Sequence, residues 1–323
     1  MRIGFHASHE QFTPSHLLKL VQRAEKAGFQ AILSSDHFHP WSNEQGESGF
    51  AWSWLGAAMQ ATSLDFGIVN APGQRYHPAI IAQAVATLEE MFPGRFWLCS
   101  GSGQALNENI TGEKWPPKHQ RNARLKESVE IMRELWKGEY VSRKGLIQIE
   151  KARLYTLPRE LPSVYGAAMT EKTARWLGDW ADGMITVSKP PEELEKVVSA
   201  FRERAGQSKP LVLKVQLSYD PSPEKALKLA WEQWRNNIFP SKLLGELHTP
   251  DQFDDLGAMV RPEDLKKHVL IGSHPDDFLE HLSDYKSLGF DTVILHNVNE
   301  HQEAFIDFFE KELLAAYHKS TKN

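Results

Sequence analysis

An acid, two imidazoles and an indole fall within Ser35-Asp36-His37-Phe38-His39-Pro40-Trp41, directly after the apolar run Ala31-Ile32-Leu33. An imidazole exchanges protons near neutral pH, a carboxylate can orient it or a ligand, and an indole offers a flat apolar wall to a ring system. A solvated loop histidine beside a core tryptophan is the plainer alternative. Position favours chemistry, because polar side chains that follow an apolar strand stand at its carboxyl end, where α/β proteins build their sites. His37 and His39, two residues apart, would also share one face of a strand and could hold a divalent metal. Against a metal, Pro40 follows at once and the sequence brings no third ligand to the pair.

Other segments could also face a ligand. In Ser100-Gly101-Ser102-Gly103-Gln104-Ala105-Leu106-Asn107-Glu108, paired glycines let the backbone approach closely. Gln104 and Asn107 can donate and accept at once, as a heteroaromatic edge requires. The third glycine of the dinucleotide fingerprint is replaced by Leu106, and a structural tight turn explains the segment equally well. Gly67-Ile68-Val69-Asn70-Ala71-Pro72 closes a further strand-like run. Ala167-Ala168-Met169-Thr170 precedes a helix starting near Glu171, where free N–H groups and a hydroxyl suit a phosphate; an ordinary N-cap accounts for Thr170 as well. No Walker loop, GxSxG elbow or HExxH is present, so phosphoryl transfer and the commonest hydrolase chemistries have no support.

Eight β-rich runs position these segments: Arg2 to Ala7, Ala31 to Ser34, Phe66 to Asn70, Arg95 to Ser100, Ser163 to Ala167, Gly183 to Val187, Leu213 to Ser218 and Thr292 to His296. Amphipathic helices separate them, for example Pro14 to Ala27 with Leu17, Leu20, Val21 and Ala24 on one face, and Arg121 to Lys137 with Leu125, Val129, Met132 and Leu135. Ser273-His274-Pro275-Asp276 has the look of a helix start. Strand–helix alternation in eight units predicts a (β/α)₈ TIM barrel, with sites at the strand C-termini. Two stretches exceed the minimal unit: about 139–159, hairpin-like, after the fourth strand, and about 239–267, Asp-rich and loop-like with Pro240, Pro250 and Pro262, after the seventh. Both are expected as lid or rim on one domain spanning 1–323.

Composition narrows the partners. The 323 residues carry a net charge of −5, which offers no basic face to nucleic acid or anionic lipid and leaves small molecules as the expected partners. A single cysteine, Cys99, forbids an internal disulfide and fits a reducing compartment, the cytoplasm. Met1-Arg2 runs straight into Ile3-Gly4-Phe5 with no leader pattern, and no run reaches membrane-spanning length.

The motifs SDHFHPW (35–41), RYHPAIIAQA (75–84), GSGQALNE (101–108), ARLKESVEIMRELW (123–136) and ADG (181–183) together resemble the luciferase-like flavin-dependent oxidoreductases, in the branch of the deazaflavin-dependent glucose-6-phosphate dehydrogenases. The resemblance covers nearly the whole chain. It implies a luciferase-like TIM barrel with a flavin-type ring in its C-terminal mouth, and a homodimer. His37 matches the family's catalytic histidine, Asp36 its ring-side aspartate and Trp41 the tryptophan near the transition state; Asn107 matches an amide on the cofactor. Val69 would back the ring at a turn where the family often has a non-prolyl cis peptide, beside Asn70. Ala168, Met169 and Thr170 fall where backbone groups hold the cofactor phosphate.

The chain also departs from that branch. Gln104 stands where the deazaflavin dehydrogenases carry a glutamate that protonates the reduced ring, and an amide cannot deliver that proton. Of three cationic residues that grip a sugar phosphate, Lys189 matches, while Leu256 and His281 replace the others, which speaks against glucose-6-phosphate. Relatives thought to use FMN look closest, since reduced FMN can stay anionic where hydrogen bonds stabilise it. FMN is therefore the expected cofactor, with the F420-type deazaflavin as alternative. The expected activity is hydride transfer between such a ring and a small alcohol or carbonyl compound, or flavin-dependent monooxygenation. His37, Trp41 and Gln104 would be catalytic; Lys189 and His281 would face substrate. A metal-dependent hydrolase using His37 and His39, and a non-catalytic flavin-binding protein, are the rival expectations.

Overall fold

The computed structural model describes residues 1–320. Strands β1 (Arg2–Ala7), β2 (Ala31–Ser35), β3 (Asp65–Asn70) and β4 (Phe96–Ser100) pair in parallel in chain order. An antiparallel hairpin follows, β5 (Val141–Lys144) with β6 (Gln148–Ala152), and realises the first expected excursion. Strands β7 (Val164–Ala167), β8 (Gly183–Val187), β9 (Leu211–Tyr219), β10 (Leu270–Gly272) and β11 (Thr292–Asn297) complete the set. β7 joins β4, β8 joins β7, β9 joins β8, β11 joins β9, and β11 returns to β1. The result is a closed, eight-stranded parallel barrel, with short β10 laid along the C-terminal end of β9. Every one of the eight expected strands is there.

Connecting helices clothe the barrel because parallel neighbours need a crossover. Pro14–Lys26 buries Leu17, Leu20, Val21 and Ala24, and Lys118–Trp136 buries Leu125, Val129, Met132 and Leu135, so both expected apolar stripes meet the core. The second insertion departs from expectation. Instead of a loop it holds helices Ser241–Leu244 and Pro250–Gly257 and a 3₁₀ segment Pro262–Lys267. Its prolines begin helices rather than break them: Pro240 is an N-cap, and Pro250 and Pro262 occupy the first turn, where a missing N–H costs nothing. At Asp276–Ser287 the cap also differs, since Asp277 Oδ2 accepts from the N–H groups of Ser273 and His274 and the Ser273 hydroxyl plays no part. Among the described residues no helix is long and apolar enough to cross a membrane.

Strand alternation sorts the side chains. Ile3, Phe5 and Ala7 of β1, Leu213, Val215 and Leu217 of β9, and Val293 and Leu295 of β11 pack outward with the helices. Ala31, Leu33, Trp97, Cys99, Ile185, Val212 and Ile294 form a separate inner cluster that fills the barrel. Gly67 makes that filling possible, because a Cβ there would lie 2.1 Å from Trp97 Cζ2. Gly67→Ala should therefore lower the unfolding free energy by about 1–3 kcal/mol through overpacking. Gly56→Ala, in helix Ala51–Ala61 where an added Cβ meets nothing within 4 Å, should be neutral or stabilising by up to about 1 kcal/mol. Equal urea midpoints for the two variants would refute this account of the inner packing.

Candidate active site at the barrel mouth

Asp36 leaves the end of β2 buried and fully engaged. Its Oδ2 accepts from Trp52 Nε1 (2.9 Å) and Asn70 Nδ2 (2.7 Å), and its Oδ1 accepts from the Tyr76 hydroxyl (3.1 Å) and lies 3.3 Å from the Arg75 guanidinium. Arg75 also donates to the Asp36 carbonyl oxygen (2.6 Å) and stands 3.7 Å from Glu108, whose Oε2 accepts the Arg75 N–H. The cation thus sits between two buried carboxylates and ties the loop after β2 to the loop after β3 and to the short helix Ala105–Glu108. Burial pushes the Glu108 carboxyl up, with Arg75 opposing. Asn107 completes the brace: its Oδ1 accepts from the N–H groups of Phe38 (2.8 Å) and His39 (3.2 Å).

Held on that loop, His37 points at Glu10. Its Nδ1 lies 3.2 Å from Glu10 Oε1, at ion-pair distance without the alignment of a hydrogen bond. The Trp41 ring meets it edge-on at 4.6 Å. Only 12% of the His37 side chain and 2% of Glu10 is exposed. Burial holds the imidazole below its ordinary 6.5, against the pull of Glu10 and with help from Arg75 and Lys214. Burial raises Glu10, but His37, its own N–H, Lys214 and His9 outweigh that and keep it a carboxylate. The pair is a neutral imidazole backed by a fixed negative charge, able to take a proton and stabilise the imidazolium that results. Trp41 is set in turn against Phe253 at 5.4 Å, so the second insertion walls this side of the mouth. Its acidic residues serve the same end: Asp251 and Asp254 accept from Asn43.

The other expected residues are placed as follows. Val69 lies in the β3 ladder between Ser35 and Cys99 and faces the barrel interior. No cis peptide occurs among the described residues, contrary to the expectation attached to Val69. Asn70 is turned toward Asp36. Gln104 precedes helix Ala105–Glu108 and offers no side-chain cap to it, and Gly103 before it takes φ +79°, a conformation that suits glycine. Ala168 donates to the Ile185 carbonyl oxygen (3.0 Å), and Thr170 caps helix Glu171–Gly178 through Thr173 N–H (3.4 Å). Lys189, expected to face substrate, donates to the Met169 carbonyl oxygen (2.7 Å) and so stands at the Ala168–Thr170 turn. His281 stacks on Tyr285 (6.3 Å) along helix Asp276–Ser287 and makes no hydrogen bond or ring contact with the mouth residues. His39 Nδ1 meets the Leu106 carbonyl oxygen (2.8 Å), so the two imidazoles of the supposed metal pair have separate partners.

Sequence reasoning missed Glu10, the Arg75–Tyr76 brace and a polar floor made of His6, Lys214, Gln216 and His296. A signal for the floor existed. Buried parallel strands usually read as unbroken apolar runs, yet β1, β9 and β11 alternate, and their inward positions turn polar toward the C-terminal end.

Two measurements test this electrostatics. An NMR titration of the His37 imidazole should have its midpoint below 6.5, and Glu10→Gln should move it further toward acid, because the carboxylate raises it; an upward move would contradict the pairing. Arg75→Met should cost about 3–5 kcal/mol of stability near neutral pH by stranding buried carboxylates, and the deficit should shrink as acid protonates Glu108, whose carboxyl burial already pushes up; a loss that is the same at every pH would show that the ions do not carry it.

Comparison with known proteins agrees with this geometry. The luciferase-like monooxygenase family model matches residues 1–292. An F420-dependent glucose-6-phosphate dehydrogenase of Mycolicibacterium fortuitum is 35% identical over 326 residues, covering 97% of both chains. One from Segniliparus rotundus is 36% identical over 327 residues, again with 97% of both covered. Among solved structures, an F420-dependent secondary alcohol dehydrogenase in complex with an F420-acetone adduct superposes with a TM-score of 0.89 at 32% identity, over 97% of this chain and 98% of that one. These relatives are named for F420, which reverses the expected order of cofactors and leaves FMN without support. They are enzymes, and none is a metal hydrolase or a passive flavin carrier. The chain belongs to the luciferase-like monooxygenase family and is an oxidoreductase.

Proposed function

We propose that this chain is an F420-dependent dehydrogenase or reductase acting on a small alcohol or carbonyl compound, with His37 as its acid–base residue. The observation that carries the reading is the Glu10–His37–Trp41 arrangement at the mouth, in a barrel similar throughout to one that holds an F420-acetone adduct. When bound, the deazaflavin supplies a carbon that takes or returns hydride.

The residues present fit such a group. Val69 and Ala167 are half-buried apolar side chains of the inner cluster, and with half-buried Trp41 they provide apolar surface for a flat ring. The helix beginning at Glu171 offers N–H groups that lack intrahelical acceptors, and Lys189 brings a positive charge to the same turn, as a phosphate requires. Lys189 is thereby reassigned from substrate to cofactor. His37 takes the hydroxyl proton of an alcohol, or returns one to a carbonyl oxygen, while Glu10 stabilises the charged imidazole. Trp41 keeps water from the reacting carbon. Gln104 can hydrogen-bond the ring but has no proton to transfer to it. In keeping with the family resemblance, we propose a cytoplasmic homodimer with diffusible substrates, which sizing chromatography would test for assembly.

Titrations with F420 and FMN, followed by absorbance, should show saturable binding of F420 and none of FMN; the reverse result would overturn the cofactor assignment. With F420 and a panel of short secondary alcohols, His37→Ala should lower kcat by about 10²–10⁴-fold and leave F420 affinity unchanged. A variant that kept full turnover would remove His37 from the chemistry.

A further inference from the structure

Beneath the mouth lies a group of polar side chains that the chemistry at His37 does not use. The rings of His6 and His296, on neighbouring strands β1 and β11, are 4.2 Å apart. Both residues are at least nine-tenths buried, yet among the described residues His6 Nδ1 and both ring nitrogens of His296 have no hydrogen-bond partner. Lys214, one layer below on β9 and paired in register with Ile294, extends its ammonium group to 5.8 Å from the Trp234 ring, which itself meets His296 edge-on at 4.9 Å. The Lys214 ammonium makes no hydrogen bond among the described residues. Glu10, the nearby carboxylate, is already engaged: Oε2 accepts from Ser8 Oγ (3.0 Å) and Oε1 faces His37.

Buried donors and acceptors left without partners are rare in folded proteins and call for a ligand, an ordered water or a functional role. Their chemistry selects among ligands. Burial drives both floor imidazoles well below their ordinary pKa, so they are neutral and offer N–H donors and lone pairs. Lys214 is brought down to about 8 by burial and stays the floor's one cation at neutral pH. Lys214 feels the Glu10 carboxylate electrostatically but makes no hydrogen bond to it, so its ammonium donors and the neutral imidazoles beside it suit a monoanion, whereas a phosphate dianion would put more negative charge next to Glu10 than one ammonium group offsets.

We propose that Lys214, His6 and His296 form a carboxylate pocket for the substrate, so that the enzyme turns over short hydroxy- or oxo-carboxylates in preference to neutral alcohols and ketones. The proposal rests on the oxidoreductase reading given above and names the substrate class for that same mouth. Lys214 pairs with the carboxylate and the two imidazoles hydrogen-bond its oxygens, which leaves the remaining carbons of the substrate on the His37 side of the floor.

Calorimetric titration tests it with glyoxylate, pyruvate and 2-oxobutyrate against the uncharged acetaldehyde, acetone and butanone, on the protein with and without F420. At least one acid should bind tenfold or more tightly than its uncharged counterpart. Lys214→Met should abolish that preference, Lys214→Arg should keep most of it, and F420 affinity should be the same in all three proteins. Equal binding of acids and uncharged analogues by the wild-type protein, no saturable binding of any acid, or a preference that survives Lys214→Met would each overturn the pocket. The wild-type comparison decides the matter even if Lys214→Met does not fold. Failure of the protein to bind F420, with the acid preference intact, would instead sink the cofactor reading and leave the pocket standing.

Discussion

The Arg75 guanidinium, locked between the carboxylates of Asp36 and Glu108, is the interaction on which the site depends. It joins the ends of three neighbouring barrel strands through side chains that water barely reaches. Removing two carboxylates and a cation from water is unfavourable by itself, and the cost is offset by mutual attraction together with hydrogen bonds to the carboxylate oxygens. Trp52, Asn70 and Tyr76 supply those partners for Asp36. With Asp36 immobilised, the next residue, His37, inherits a defined direction, and Asn107 fixes the two residues that follow.

Asp36 therefore does something different from what its place beside His37 first suggests. A carboxylate already accepting from three side-chain donors is a foundation for the loop. The charge that backs His37 comes instead from Glu10, on the loop after β1. This division of labour is economical: one buried carboxylate holds the backbone, and another tunes the imidazole. Burial alone would leave that imidazole neutral but weakly basic; Glu10 partly restores its proton affinity, which is what a residue exchanging protons near neutrality requires.

The inner surface of the barrel shows a second gradient. Apolar side chains fill its lower part, around Val212, Ile294 and Trp97, and polar ones take over at His6, Gln216 and His296. The same alternation places Leu213, Val215 and Leu295 against the helices. A strand such as β9 thus presents apolar side chains to the helices on one face and polar ones to the barrel interior on the other, and a shift of one residue in register would exchange them.

Much of this was legible in the residues alone. Eight strands, their order and the site at their C-terminal ends follow from periodicity, because each apolar run needs a crossover helix and the pattern recurs eight times. His37 and Trp41 stood out because acid, base and indole rarely crowd a strand end without purpose. The prolines at 240, 250 and 262 misled, since a proline starts a helix as readily as it ends one and local sequence does not distinguish the two. Glu10, Arg75, Lys214 and His296 are separated by up to hundreds of positions and share no motif. Only closure of the barrel brings them within reach of one another, and a pairwise electrostatic interaction depends on distance in space, to which distance along the chain is no guide.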